Sequence, residues 1–339
     1  MKLDAVELLV VRLPLVRPFV TVLGATSQRD VLLVHVTGEA SEGWGECGAD
    51  TTPDYWWETV SSAQGVLPAI ARGEAVDGHP MAHAAFEMAV LDAELRRSNT
   101  SLAAHVGATR ERVIATATAG FQDEVELFLA AGYRSVKVKV SPDHPLSSRP
   151  APESVSVQVD ANGSYATQPD RLRAFDDLGL LAIEQPLAAQ DFEGHAILAR
   201  ELHTPVCLDE SVASIDLLDT AIALRAADGV TVKPARLGGI AAARATHDRC
   251  VEARLAAKVG GLLETGIGRA AALAVAALPG FVWPADLSAS DRYWREDLTE
   301  PFELDPNGCL AVPTGPGLGV TVRSDVIRAA TVWRERVVL

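Results

Sequence analysis

Cysteine is sparse. The 339-residue chain has four (Cys47, Cys207, Cys250, Cys309), far apart and with no CxxC pair. That argues against a zinc site or a disulfide framework and for a reducing compartment, the cytoplasm. Positive charge is also short: 30 Lys+Arg against 45 Asp+Glu leave a formal charge of −15. Such a surface repels phosphate backbones and anionic headgroups, so neither nucleic acid nor a membrane is an expected partner. No apolar run approaches the ~18 residues of a membrane span. The start, Met1-Lys2-Leu3-Asp4-Ala5-Val6-Glu7, has acids where a secretory leader would have a basic start and an apolar stretch. Hydrophobic residues make up 48%, enough for a large core and too many for a disordered chain. The length accommodates a barrel of ~250 residues plus a further module.

The pattern divides the chain. Val6–Leu13 and Val31–Val36 read as strands, and Pro14, Pro18 and Gly24 make 14–30 a mobile loop between them. Helical spacing follows from Pro53 to Leu95, with Pro80 near a first turn and an Ala-rich stretch after it. Residues 1–112 are therefore expected to form an α+β module. Beyond it, eight short apolar strands alternate with helical stretches: Val113–Ala119, Ser135–Val140, Ser156–Asp160, Leu180–Glu184, Pro205–Asp209, Gly229–Lys233, Lys258–Glu264 and Phe281–Asp286. Near-continuous apolar strands alternating with helices indicate a parallel sheet covered on both faces. Eight such units, with no glycine-rich phosphate turn after the first strand, favour a closed (β/α)8 barrel over residues 113–290 rather than an open doubly wound sheet. The tail, 291–339, is expected to return to the N-terminal module.

Five of these strands end on an ionisable residue: Lys139, Asp160, Glu184, Asp209 and Lys233. Their spacings are 21, 24, 25 and 24 residues, commensurate with one βα unit. They therefore fall at equivalent places on the face where barrel active sites are built. A single carboxylate there is most simply a helix cap. Three in register between two lysines point elsewhere. Asp160, Glu184 and Asp209 converging on one point require a cation, and oxygen-only donors select a hard one, Mg2+. Lys137 lies two residues before Lys139 and shares its face. Mutual repulsion and burial are expected to depress the pKa of this pair and favour a general base. Lys233 sits four strands on, across the barrel mouth. Lysines on opposite faces of a metal-bound carboxylate suit removal of the proton α to it, through an enediolate.

Together these residues resemble a known family. Ser135-Val136-Lys137-Val138-Lys139, Val159-Asp160-Ala161-Asn162, Ile183-Glu184-Gln185-Pro186-Leu187, Cys207-Leu208-Asp209-Glu210-Ser211 and Val232-Lys233-Pro234-Ala235-Arg236-Leu237-Gly238-Gly239 are similar to the enolase superfamily, muconate-lactonising branch. Sites of that superfamily pair a Lys or His base with Mg2+. Residues 260–269, 286–294 and 313–320 resemble the o-succinylbenzoate synthase group that includes N-succinylamino acid racemases. The resemblance implies Mg2+ (or Mn2+) on Asp160, Glu184 and Asp209. It implies Lys139 as the base, which in the synthase would also assist loss of the hydroxyl in a syn dehydration. Lys233 would act from the opposite face. Lys137 and Asn162 would be polar groups beside the substrate, and Glu210 would support the metal ligand before it. The Gly260–Glu264 strand end, with Gly261 and Glu264, would offer backbone N–H groups to a succinyl tail. Residues 1–112 would cap the barrel, with Phe19 on the 14–30 loop touching substrate and the Tyr55-Trp56-Trp57 cluster closing over it.

The expected activity is o-succinylbenzoate synthase, a carbon–oxygen lyase of menaquinone biosynthesis. The alternatives are an N-acylamino acid racemase, an enzyme with both activities, or a non-catalytic barrel that keeps a metal site. A small-molecule carboxylate is the expected partner, with homo-oligomers possible on exposed barrel faces. The chain departs from a regular barrel in its 141–152 crossover. Its four prolines exclude the usual helix, and Phe121–Gly132 leaves room for only about three helical turns.

Overall fold

The alternation at the N-terminus serves two cores at once. In the computed structural model, which describes residues 2–21, 24–120 and 124–339 (the side chains of 19–21 and 24 excepted), strand β1 spans Ala5–Thr21. Its Val6, Leu8 and Val10 join a cluster with helices of the same module, while Leu9, Val11, Leu13 and Leu15 join the cluster that fills the barrel. Opposite faces of one strand thus pack against different layers. Each such side chain contributes about 1.5–3 kcal/mol on burial.

β1 pairs antiparallel with β2 (Gly24–Gly38), which pairs with β3 (Ser41–Cys47). The pairing runs on through Leu13↔Arg29 and Pro14↔Gln28 and resumes at Phe19↔Thr26. The described residues of 14–30 are therefore largely a β-ribbon, not the loop expected from their prolines, and residues 22–23 of that expected loop lie outside the described residues. Proline is tolerated because this ribbon lies at a sheet end, where the register shifts between Pro14 and Phe19.

Helices α1 (Val60–Ala71) and α2 (Pro80–Arg97) cover this sheet, followed by α3 (Leu102–Val106). α2 approaches β3 so closely that a Cβ on Gly45 would stand 1.9 Å from the Ala85 carbonyl. The alanines of α2 and the glycines of β3 make that contact possible. His79 does not cap α2; the Glu58 carboxylate does, accepting from Met81 and Ala82 N–H at 2.8 and 2.9 Å.

The segment read as one strand, Val113–Ala119, is two. β4 (Arg112–Ile114) pairs with a C-terminal strand, and β5 (Thr116–Ala119) opens the barrel. Then come α4 (Val125–Ala130), β6 (Ser135–Lys139), β7 (Ser156–Asp160), β8 (Ile183–Glu184), α5 (Phe192–Glu201), β9 (Val206–Leu208), α6 (Ile215–Leu224), β10 (Gly229–Val232), α7 (Pro234–Leu237), α8 (Ile240–Ala253), β11 (Ala256–Val259) and α9 (Gly266–Ala276). Parallel pairing gives the order β11-β10-β9-β8-β7-β6-β5.

The expected eighth strand, Phe281–Asp286, is reduced to two parallel bridges, Ala285↔Ala115 and Asp286↔Gly260. These join the two edges of the seven-stranded sheet. Pro284 removes a ladder donor there. The seventh expected strand, Lys258–Glu264, stops at Val259 because 260–264 turns into the site.

No helix connects β6 to β7. Arg149 holds that crossover instead, donating to the carbonyls of Ala151 (3.1 Å), Val155 (2.6 Å) and Leu178 (3.2 Å). A 3-10 stretch, Pro169–Leu178, follows β7, so the outer layer is thin on this side.

The tail returns to the N-terminal module. After β12 (Cys309–Ala311), which pairs with β4, and α10 (Ser324–Ala330), β13 (Thr331–Val337) adds to β1 in register Val6↔Val337. Among the described residues no helix is long and apolar enough to cross a membrane.

Candidate active site

Register brings the predicted side chains together. Lys139 pairs with Asp160, and Asp160 with Glu184, across β6, β7 and β8. Glu184 pairs with Cys207, and Asp209 lies two residues further along, on the same face. Strand partners share a face, so all these side chains point into the barrel interior, Glu184 fully buried below the cavity lining. Lys233 directly follows β10 and stands at the start of α7. Lys137, Lys139, Asp160, Asn162, Asp209 and Lys233 all line one cavity of about 390 Å3, beneath Tyr55 of the N-terminal module. Gly261 and Glu264 line it as well.

Carboxylates and cations are interleaved. Lys139 Nζ donates to Asp160 Oδ2 at 2.7 Å and to Asn162 Oδ1 at 2.6 Å. Lys137 Nζ stands among three acids: Asp160 Oδ2 at 3.0 Å, Glu184 Oε1 at 3.1 Å, and Asp286. Lys233 Nζ reaches Asp209 Oδ2 at 2.9 Å and the Tyr55 hydroxyl at 2.6 Å. Arg236 Nη2 binds Asp209 Oδ1 at 2.6 Å, and its Nη1 donates to Tyr55 at 3.1 Å. The Tyr55 hydroxyl in turn donates to Asp209 Oδ2 at 3.2 Å. Asn162 Nδ2 holds Glu210 Oε1 at 2.8 Å, and the other oxygen of that buried carboxylate, Oε2, has no partner.

Burial and charge set the protonation states. Burial alone would raise the Asp160 and Asp209 carboxyls, but the ammonium and guanidinium groups around them outweigh it and hold both well below the usual range. Glu210 has no such neighbour in contact; burial and the charges of Asp209 and Asp160 push it up to about 7. Burial would lower Lys137, yet Asp160, Asp286 and Glu184 raise it well above its ordinary value. This corrects the expectation of a depressed pKa for Lys137. Acids arriving from other segments contact its ammonium directly.

Two further expectations change. The N–H groups of Gly260, Gly261 and Leu262 are already engaged, with Val232 O, Asp286 O and Glu264 Oε1. The strand end lines the cavity without offering those three donors to a succinyl tail. Of the aromatic cluster, Tyr55 reaches the site, Trp56 lies over Arg236, and Trp57 is half exposed beside His79. Phe19 pairs with Thr26 through its backbone; its side chain lies outside the described residues.

Sequence reasoning missed the roles of Arg236, Asp286 and Lys258. Arg236 follows Lys233 by one helical turn, a spacing that puts both on one side. Asp286 ends the eighth candidate strand on an acid, as the others do. Lys258 interrupts an apolar strand, which is itself a signal.

Among the described residues no group of three His, Cys, Asp or Glu side chains stands as a ready metal cage, because lysines lie between the acids. The donor set nonetheless fits a hard divalent cation. Asp160, Glu184 and Asp209 offer oxygen only, are at most 1% exposed, and lie beside a carboxylate oxygen with no partner of its own. Mg2+ or Mn2+ would be held by those three side chains.

Comparison with known proteins follows the same lines. Residues 120–326 match the family described as enolase C-terminal domain-like. The chain is 42% identical to an N-succinylamino acid racemase of Amycolatopsis sp, over 98% of this chain and 99% of that one. It is 34% identical to the o-succinylbenzoate synthase of Bacillus subtilis (strain 168), over 96% of each. A crystal structure of an enolase-superfamily member from Listeria innocua Clip11262 superposes with a TM-score of 0.92 at 32% identity, covering 99% of both chains. With acids and lysines at successive strand ends of a capped barrel, and with these likenesses spanning nearly its whole length, the chain belongs to the enolase superfamily.

Proposed function

We propose that this protein removes the proton α to a carboxylate and acts as an o-succinylbenzoate synthase, dehydrating 2-succinyl-6-hydroxy-2,4-cyclohexadiene-1-carboxylate in menaquinone biosynthesis. The observation that carries the reading is the pair Lys139 and Lys233, each hydrogen-bonded to a different acid at opposite ends of the Asp160–Glu184–Asp209 row. A bound Mg2+ would supply charge for the electrons that collect on the substrate carboxylate. Lys139 removes the α-proton and, from the same face, passes it to the departing hydroxyl. Lys233, held by Asp209 and Tyr55, stays cationic on the other face and stabilises the developing charge. Tyr55 and its module exclude water from above. A cavity of about 390 Å3 suits a small substrate of this kind.

A second reading is N-succinylamino acid racemase, or one enzyme with both activities. The paired lysines serve this reading equally, and the 42% identity to a racemase of that name favours it. Here Lys139 takes the proton from one face and Lys233 returns one to the other. The test is a paired assay of the purified protein with Mg2+. Loss of diene absorbance reports the synthase. Racemisation of an N-succinyl-L-amino acid, with α-deuterium incorporation in D2O, reports the racemase. Absence of both overturns the proposal.

A further inference from the structure

One charged side chain inside the barrel has no part in the chemistry above. β11 reads Ala256-Ala257-Lys258-Val259, and Lys258 has no exposed surface. A buried ammonium is costly unless acceptors surround it. Lys258 has two: Nζ donates to Glu184 Oε2 at 2.5 Å and to Gln158 Oε1. Gln158 lies on β7 two residues before Asp160, so the same interior face carries both. With its carbonyl oxygen committed to Lys258, Gln158 leaves Nε2 without a partner in the core. Buried polar groups are rarely left so. The need to satisfy the ammonium outweighs that of the amide.

The consequence falls on Glu184, the middle acid of the row. Oε1 is taken by Lys137, which lines the cavity, and Oε2 by Lys258, on the neighbouring interior. The two oxygens of one carboxylate therefore have separate duties. We propose that Lys258 is a positioning residue that pins the inner oxygen of Glu184 and thereby weakens and disciplines the binding of a divalent cation at the barrel mouth. It holds Glu184 by its inner oxygen, and it sets a fixed positive charge directly against a carboxylate that would ligate the cation. Like charges a few ångströms apart in a desolvated site repel far more strongly than in water. Without the cation, Lys258 stabilises the anionic Glu184. With the cation present, part of that stabilisation is duplicated and the repulsion appears. The inference rests on the reading of Asp160, Glu184 and Asp209 as cation ligands.

The experiment is calorimetric titration of the full-length protein with MgCl2 alone, alongside thermal melting with and without Mg2+. Lys258→Met removes the charge at nearly constant shape. Lys258→Gln removes it but keeps a donor for Glu184 Oε2, so it serves if the first variant fails to fold. The Kd for Mg2+ is expected to fall at least about tenfold in each folded variant. The melting temperature without Mg2+ is expected to fall, and its rise on adding Mg2+ to grow. An unchanged or larger Kd in a folded variant overturns the proposal, while the ligand reading survives because the parent protein still binds Mg2+. A parent protein that binds no Mg2+ overturns both.

Discussion

Lys139 makes two hydrogen bonds, to Asp160 and Asn162. Lys137, two residues earlier, is tied to Asp160, Glu184 and Asp286 and held firmly protonated, so it cannot substitute as the base. Lys139→Ala is therefore expected to lower kcat by about a thousandfold or more, the scale of a lost general base, with Mg2+ binding retained and not weakened. Turnover within tenfold of the parent protein would remove Lys139 from the mechanism. Asp209 is different, for its two oxygens anchor Lys233, Arg236 and Tyr55 together. Asp209→Asn should weaken Mg2+ binding by at least about tenfold, since even a residue that only supports a ligand is worth that much. An identical Mg2+ titration would mean that Asp209 is not a ligand.

At the scale of elements, α9 shows how the two modules are joined. Its first three N–H groups are satisfied from three segments. Asp297 accepts from Gly266 at 2.7 Å, Thr265 from Ile267 at 3.4 Å, and Glu46 from Gly268 at 2.9 Å. Glu46 belongs to β3, and it also accepts from Thr265 N–H and hydroxyl at 2.9 and 2.6 Å. A strand of the capping module thus caps a barrel helix that begins directly after the cavity-lining 260–264 turn. Burial pushes Glu46 up to about 7 against these hydrogen bonds. An acid with a raised folded-state pKa binds its proton more tightly when folded. Its contribution is fully present below the ordinary value of 4.5 and is lost as pH rises to about 7. Each pH unit in that window removes up to about 1.4 kcal/mol. Glu58 and Asp92 are raised by burial as well, so they tilt stability the same way. Glu46→Gln isolates the one contribution. It should cost about 1–2 kcal/mol at pH 5 for the donor it no longer satisfies, and should flatten the fall in melting temperature between pH 5 and 7. Parallel melting curves for the two proteins would show that Glu46 does not titrate there.

The whole molecule is closed by its two ends. β13 completes the sheet that β1 begins, and alternate side chains of β1 belong to the barrel core. Asp92 of α2 ties the same module to β3 through Trp44 N–H at 3.0 Å and to the tail through Leu318 N–H at 2.7 Å. Neither module has a core of its own that is free of the other. Urea unfolding of a variant with Trp283 and Trp294 of the barrel replaced by Phe, followed by the fluorescence of the remaining Trp44, Trp56, Trp57 and Trp333 of the capping module, should therefore coincide with loss of helical circular dichroism, which reports the barrel as well. Separate transitions would show that the modules unfold independently.

The chemistry was legible in one dimension because a barrel repeats. Equivalent strand ends recur at a nearly constant spacing, and Lys139, Asp160, Glu184, Asp209 and Lys233 sit at that spacing, so their convergence follows from the pattern itself. The break in the 141–152 crossover was legible for a similar local reason, since four prolines leave too few backbone donors for a helix. Other features depend on which distant residues arrive beside a given one. The prolines of 14–30 signal a loop only until β2 pairs alongside them. Phe281–Asp286 has the texture of a strand but, with Pro284 removing a ladder donor, forms only two bridges, one to each barrel edge. The charge state of Lys137 is set by acids from three other segments, and the hold on Lys233 by Tyr55 from another module. Periodicity along the chain determined which side chains share the barrel mouth; through-space electrostatics and close packing, which sum over residues far apart in sequence, decided what each of them does there.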